Sequence, residues 1–315
     1  MVFDNSNIEK ILKDNYNINN INFILEINMG FVNSNYEVSC GNKNYILKFE
    51  KNNSFSTFNE EIFLMNFLNK NEFDYNMPLP LLNNKSNLLS SFNSKNFYIY
   101  EKIEGAVNNN SNFLKYKNVS QMMAKFHSLT NSLDEKLSIK SEIDLFNLNW
   151  LNRSFKNDFN SLPNSFKSNG DIIDKYNSIK SLTRDLAKIE YFSDFQLIHG
   201  DYKLDNVIFS KNVPVGLIDF NNICYAPKIK DIAELISRNI EKRHNLKNII
   251  PHFLENYSKQ NNISDGEISI LPLVMLRNLA INFWWFNQTD INQNSKLEQM
   301  LNLGNKFKKI RDELL

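Results

Sequence analysis

The sequence predicts an α+β fold built in two parts. Three observations lead there: apolar residues alternate through most of the first hundred positions, one helical segment interrupts them, and beyond Gly105 the apolar spacing becomes mainly helical. The 315 residues are enough for one large domain or for two lobes with a sizeable core. The change of character divides the chain into 1–102 and 103–315.

Between 21 and 50, Tyr36, Val38 and Cys40 share one strand face, Gly41-Asn42 offers a turn, and Tyr45, Leu47 and Phe49 alternate with Ile46 and Lys48. This pattern reads as a β-hairpin. In 58–70, Leu64, Phe67 and Leu68 recur at helical spacing, and Met-Pro-Leu-Pro at 77–80 bars any helix there. Residues 96–105 read as a buried strand entering a bend at Gly105. After it, Val119, Met122, Met123, Phe126 and Leu129 form a helical stripe, and 131–195 read as further helices separated by polar loops. Gln196–Phe209 and Val213–Phe220 are short apolar strands bracketing polar residues, and Asp231–Ile240 is an amphipathic helix. No internal repeat is present.

Composition excludes several function classes. With 36 basic and 35 acidic residues the formal charge is +1, so no overall field draws in nucleic acid or an anionic membrane. Cys40 and Cys224 stand far apart without metal-ligand spacing, which fits a reducing compartment and argues against a disulfide framework or structural zinc. The first residues, MVFDNSNIEKILKD, lack the basic and apolar regions of a secretion signal, and the apolar stretch 268–286 is broken by Pro272, Arg277, Asn278 and Asn282. A cytoplasmic protein is expected. The heavy use of asparagine is compositional bias, since 42% hydrophobic and 13% aromatic residues exceed what a disordered tract carries.

The chemistry concentrates in His199-Gly200-Asp201-Tyr202-Lys203-Leu204-Asp205-Asn206 and, after a strand-length gap, Ile218-Asp219-Phe220. Asp201 and Asn206, five apart on one loop, can face a common point, and Asp219 can approach it from a neighbouring strand end. Hard oxygen ligands of this kind suit Mg²⁺, which binds one or two carboxylates together with substrate phosphates. The remaining carboxylate can act as a base.

At these residues the sequence resembles the aminoglycoside phosphotransferase and choline kinase family, including the kinase-fold homoserine kinases. The resemblance runs from Asn33-Ser34-Asn35-Tyr36 and Lys48, through Ala124–Leu129, to the HGD and IDF loops and the Asp231-Ile232-Ala233 helix start. It implies a bilobal protein-kinase-like fold, with a small antiparallel-sheet lobe around one main helix and a larger, mostly helical lobe. It further implies ATP and Mg²⁺ as cofactors. Asp201 matches the base for the attacking hydroxyl, Asn206 and Asp219 the metal ligands, and Lys48 the residue that holds the α- and β-phosphates.

The resemblance also implies an ion pair from Lys48 to the helix 58–70. Glu61 shares a helix face with Leu64 and Leu68, while Glu60 is a substitute at i,i+4 from Leu64. Glu101 to Ile103 fall at the hinge that binds adenine, and Asp231 matches an aspartate bracing the catalytic loop. Gly30 is the lone glycine of the nucleotide loop, so phosphate contacts are assigned to the surroundings of Asn33 and Ser34. Asn221 occupies the place of the glycine that follows the metal aspartate in protein kinases, and Lys203 is placed to neutralise charge on the transferred phosphoryl group.

Other polar and aromatic residues read as structural. His199 is expected to pack as a backbone brace, His127 to pack on its helix, and His244 and His252 to lie at the surface or between helices. Phe283-Trp284-Trp285-Phe286 reads as core before it reads as a cation–π box, and Cys224 as a small packed side chain near the substrate mouth. The short spacing from Asp219 to Asp231 leaves little room for a peptide-docking segment, and the stretch between Ile103 and His199 can wall a small-molecule pocket. The expected acceptor is therefore a small alcohol, homoserine-like or choline- and ethanolamine-like. Aminoglycosides or amino sugars are the alternative, although no acidic cluster stands out beyond Asp312 and Glu313. A reading of another class is a non-catalytic nucleotide-binding regulatory module.

Overall fold

The structure, a computed structural model, describes residues 4–27, 33–50, 57–107, 113–133, 137, 139, 168, 170, 173–174, 177–178, 195–240, 245–288 and 293–315. Gly30, His244 and nearly all of the helices expected over 131–195 lie outside them, as do the side chains of Phe283, Trp284, Trp285 and Phe286. The chain divides into two compact units. The first comprises Met1–Asn108, Ser132–Lys140 and Asp205–Cys224, and the second Asn109–Asn131, Ser141–Leu204 and Tyr225–Leu315.

The first unit opens with helix α1, Asn5–Tyr16, which Asp4 caps by accepting the amide of Asn7 at 2.8 Å. Asn17, with φ 55°, ends it in the left-handed region. Strands β1 (Ile21–Ile27), β2 (Ser34–Cys40), β3 (Lys43–Phe49), β4 (Ser90–Phe92) and β5 (Lys95–Glu101) make a five-stranded sheet in the order β1-β2-β3-β5-β4. Its strand pairs are antiparallel. The expected hairpin is β2 and β3, closed by Gly41-Asn42 with Gly41 at φ 58°.

Alternation along these strands separates two faces. Tyr36, Val38, Leu47, Phe49, Phe97 and Ile99 pack against Ile8, Ile11 and Leu12 of α1. Lys48 and Ile46, paired in register with Tyr98 and Tyr100, are displayed on the other face. Helix α2, Phe58–Lys70, packs its Phe58 ring edge-on to Tyr98 at 4.8 Å.

A second sheet in the same unit joins β6 (Ala106–Val107), β8 (Val207–Ser210) and β9 (Val213–Leu217) in the order β6-β8-β9. The hairpin of β8 and β9 therefore belongs to the first unit. It is tied there also by Asn76, whose amide donates to the Val215 carbonyl and whose carbonyl accepts from Leu217, each at 2.9 Å.

The second unit carries strand β7 (Gln196–Ile198) and the helices α3 (Phe113–Asn131), α4 (Ile229–Asn239), α5 (Leu246–Tyr257), α6 (Asp265–Gln288) and α7 (Gln293–Leu314). Helix α3 packs on α5 and β7, while α6 packs on α4 and α7. Helix α6 opens with a capping box between Ser264 and Glu267 and runs through Pro272 as one continuous helix. Among the described residues no helix is long and apolar enough to cross a membrane. The α+β expectation is met.

The bend after β5 requires glycine. Gly105 has φ 136°, and a Cβ there would lie 2.7 Å from both the Ile208 side chain and the Phe209 carbonyl. Gly105→Ala should lower the unfolding free energy by more than about 2 kcal/mol, against about 1 kcal/mol for Gly41→Ala, whose Cβ would meet open space. Urea denaturation of the two variants checks this order; equal losses would contradict it.

Candidate active site

In the first unit the site is built around Lys48. Its position on β3 turns the side chain towards α2, where it is only 5% exposed, and a buried ammonium must find partners. Lys48 Nζ donates to Glu61 Oε2 at 2.9 Å and to Asn221 Oδ1 at 2.6 Å, with the Phe58 and Tyr98 rings 5.4 and 5.6 Å away. Glu60 is used otherwise. Its carboxylate accepts the Thr57 amide at 2.7 Å in the capping box that starts α2, so of the two adjacent glutamates Glu61 faces Lys48.

Burial pushes the Glu61 carboxyl up to about 7 against the pull of Lys48. For Lys48, burial acts downward, and the charges of Glu61 and then Asp219 outweigh it to hold the ammonium above its ordinary value. Glu61 Oε1 is buried with no hydrogen-bond partner among the described residues.

Two turns of the β8–β9 hairpin bring the expected metal ligands together. Asn206 ends the 3-10 turn Leu204–Asn206 and is 5% exposed, and its carbonyl accepts the Ile218 amide at 2.9 Å, next to Asp219. Asp219 is left-handed, with φ 69° and ψ 61°, and Asn221 follows in the 3-10 turn Phe220–Asn222. Asn221 Nδ2 donates to Asp219 Oδ1 at 2.5 Å, and Asn221 Oδ1 also accepts from Asn33 Nδ2 at 2.8 Å. Ser34 begins β2 opposite Phe49. An oxygen-only donor set of one carboxylate and one amide fits Mg²⁺, which completes its shell with water and phosphate. Among the described residues no group of three or more His, Cys, Asp or Glu is placed to hold a metal ion.

In the segment expected to be the hinge, Glu101 ends β5 with its carboxylate paired to Lys43. Lys102 donates its amide to the Asn44 carbonyl at 2.8 Å and its ammonium to Glu37 at 2.6 Å. Ile103 lies against Gly216.

In the second unit the site is the loop after β7. Asp231, in the first turn of α4, accepts the amide of His199 through Oδ2 and that of Gly200 through Oδ1, both at 2.9 Å. Lys230 Nζ donates to the Gly200 carbonyl at 2.9 Å, and the His199 ring packs edge-on to Tyr202 and Phe126. The loop is thus clamped on both sides of Gly200. It presents Asp201, whose side chain is 19% exposed, with Lys203 Nζ donating to Oδ2 at 2.7 Å.

His127 reaches further than packing on its helix. Fully buried, it lies between Tyr257 Oη at 2.8 Å and Asp231 Oδ2 at 3.0 Å, so α3 and α5 both steady the aspartate. Burial would raise the Asp231 carboxyl, but the hydrogen bond and charge of His127, with His199 and Lys230, hold it below the ordinary range. His252 lies half-buried beside Asn256, and Cys224 is buried.

A family model described as "Phosphotransferase enzyme family" matches residues 24–261. A comparison with curated protein sequences finds no match. Among solved structures, a spectinomycin phosphotransferase in complex with ADP and spectinomycin has a TM-score of 0.73 at 15% identity, covering 99% of each chain. A microcompartment-associated aminopropanol kinase has a TM-score of 0.73 at 14% identity, covering 99% of this chain and 98% of the other. A choline kinase from Streptococcus pneumoniae has a TM-score of 0.62 at 17% identity, covering 96% and 98%. These likenesses show a protein-kinase-like fold, as the resemblance implied.

Glu61 makes a pH prediction. Its carboxyl moves from 4.5 in the unfolded chain to about 7 in the fold, so the native state holds the proton more tightly. Its contribution is complete below the unfolded value and is lost as pH rises to about 7, by up to roughly 3 kcal/mol. Urea denaturation across this window should show wild type losing stability relative to Glu61→Gln and then levelling off. A difference that does not change with pH would contradict the shift.

Proposed function

Because the chain belongs to the phosphotransferase enzyme family, we propose that it is an ATP-dependent kinase acting on a hydroxyl of a small amino alcohol, homoserine-like or choline- and ethanolamine-like. The observation that carries this reading is the clamped loop. Asp231 accepts the successive backbone amides of His199 and Gly200, and the partly exposed Asp201 that follows accepts from Lys203. A carboxylate positioned in this way is suited to accept a proton.

In the proposed reaction Asp201 takes the hydroxyl proton as the acceptor oxygen bonds to the γ-phosphorus in line with the breaking bond to ADP. Lys203 balances charge beside it. Lys48, steadied by Glu61, holds the α- and β-phosphates; Asn33 and Ser34 contribute to the phosphate site, and Glu101 to Ile103 receive adenine. Asn206 and Asp219 would hold Mg²⁺, which when bound neutralises charge on the phosphate oxygens. The lobes of this reading are 1–102 and 103–315, and its setting is the cytoplasm. Support for an amino alcohol comes from the aminopropanol kinase and the choline kinase among the structural neighbours.

The test is ADP release with Mg-ATP and homoserine, choline, ethanolamine, amino sugars or aminoglycosides, beside an Asp201→Asn control. Turnover with one amino alcohol is expected, falling roughly 10²- to 10⁴-fold in the control while Mg-ATP binding is retained. Turnover surviving Asp201→Asn would overturn the mechanism. Turnover on aminoglycosides or amino sugars alone would move the acceptor to that class, and nucleotide binding without turnover would favour a regulatory module.

A further inference from the structure

Asn221 stands between two groups of opposite charge in the first unit. On one side its Oδ1 accepts from Lys48 Nζ at 2.6 Å and from Asn33 Nδ2 at 2.8 Å; on the other its Nδ2 donates to Asp219 Oδ1 at 2.5 Å. The side chain is buried, at 4% exposure. The amide orientation is determined by these partners, because a flipped amide would turn its NH₂ towards two donors and its oxygen towards a carboxylate. Only a neutral group with an acceptor at one end and a donor at the other satisfies both sides.

We infer that Asn221 is a positioning residue that keeps Lys48 and Asp219 from pairing directly, so that the ammonium stays available to nucleotide phosphates and the carboxylate to Mg²⁺. The inference rests on the kinase reading of those two residues. Asp219 already acts on Lys48 through its charge, and with Glu61 taking a single contact the ammonium can donate further. With the spacer removed, Asp219, whose carboxylate holds the other end of the same amide, is the anion admitted to the gap. Closing of that pair would consume both groups at once, since an ammonium bound to a carboxylate in a buried site gives it up only at a cost. Aspartate at 221 would act differently, capturing Lys48 itself and setting a second carboxylate against Asp219.

The test uses the full chain and AMP-PNP, with calorimetric affinities measured in EDTA, so that no acceptor or turnover is needed. Asn221→Ala should weaken metal-free AMP-PNP binding by roughly tenfold. In an Asp219→Asn background, where residue 219 carries no charge to capture Lys48, the same substitution should change it by less than about twofold. With Mg²⁺ added, the gain in affinity should shrink relative to wild type in Asn221→Ala and grow in Asn221→Asp. Equal losses in both backgrounds, or a Mg²⁺ gain that moves the same way in both variants, would mean a merely structural role and overturn the inference. If wild type itself fails to bind AMP-PNP with or without Mg²⁺, the kinase reading falls, and this inference with it.

Discussion

A protonated amine buried on a β-sheet has to be answered by neighbouring groups, and in this chain that requirement at Lys48 organises the first unit. The answer comes from Glu61 on α2 and Asn221 after β9, so one ammonium connects the sheet, the helix and the β8–β9 hairpin. Removing one member of such a pair typically costs 3–5 kcal/mol, which is enough to hold α2 in register on the sheet. The cost of burying these charges is visible in Glu61, whose second oxygen has no hydrogen-bond partner among the described residues and whose carboxyl is pushed up to about 7. A stability-optimised core would place apolar residues here. In the proposed kinase reading, the retained charges serve the nucleotide phosphates.

The second unit solves a similar problem with the opposite sign. Asp231 is a buried carboxylate, and it is answered by two backbone amides and by His127, itself held by Tyr257. The amides belong to the loop after β7, His127 to α3 and Tyr257 to α5, so the loop carrying Asp201 is tied to α3, α4 and α5 together. The loop is held through its backbone, and Lys203 Nζ donates to the Asp201 carboxylate at its tip.

Much of this was readable from local pattern. The β2–β3 hairpin follows from alternation around Gly41-Asn42, and the HGD and IDF segments stand at strand ends because short apolar runs precede them. The pairing of Glu61 rather than Glu60 was ambiguous, since both lie within a turn of Leu64. What separates them is Thr57, whose spacing to Glu60 makes a capping box. Helix α1 is not anticipated from the sequence; its pattern, Asp4 before Ile8, Ile11 and Leu12, is short enough to pass for loop. Pro272 suggested an interruption, but it lies within α6 without ending it. The roles of Asn221 and His127 were not legible. Asn221 registers in sequence only as a missing glycine, and its partners Lys48 and Asn33 are 173 and 188 positions away. His127 meets Asp231 across 104 positions. Polar contacts of that separation are set by the tertiary fold and leave no periodic trace.

If the buried charges exist to hold nucleotide phosphates, removing both together should spare the fold and damage binding. Lys48→Met with Glu61→Gln leaves neither charge unanswered, and its melting temperature should stay within a few degrees of wild type. Its calorimetric affinity for Mg-AMP-PNP should fall at least about tenfold, the loss expected for a charge-assisted phosphate contact. An unchanged affinity in a folded double variant would contradict the assignment of Lys48 to the nucleotide and leave the pair as a structural ion bridge alone.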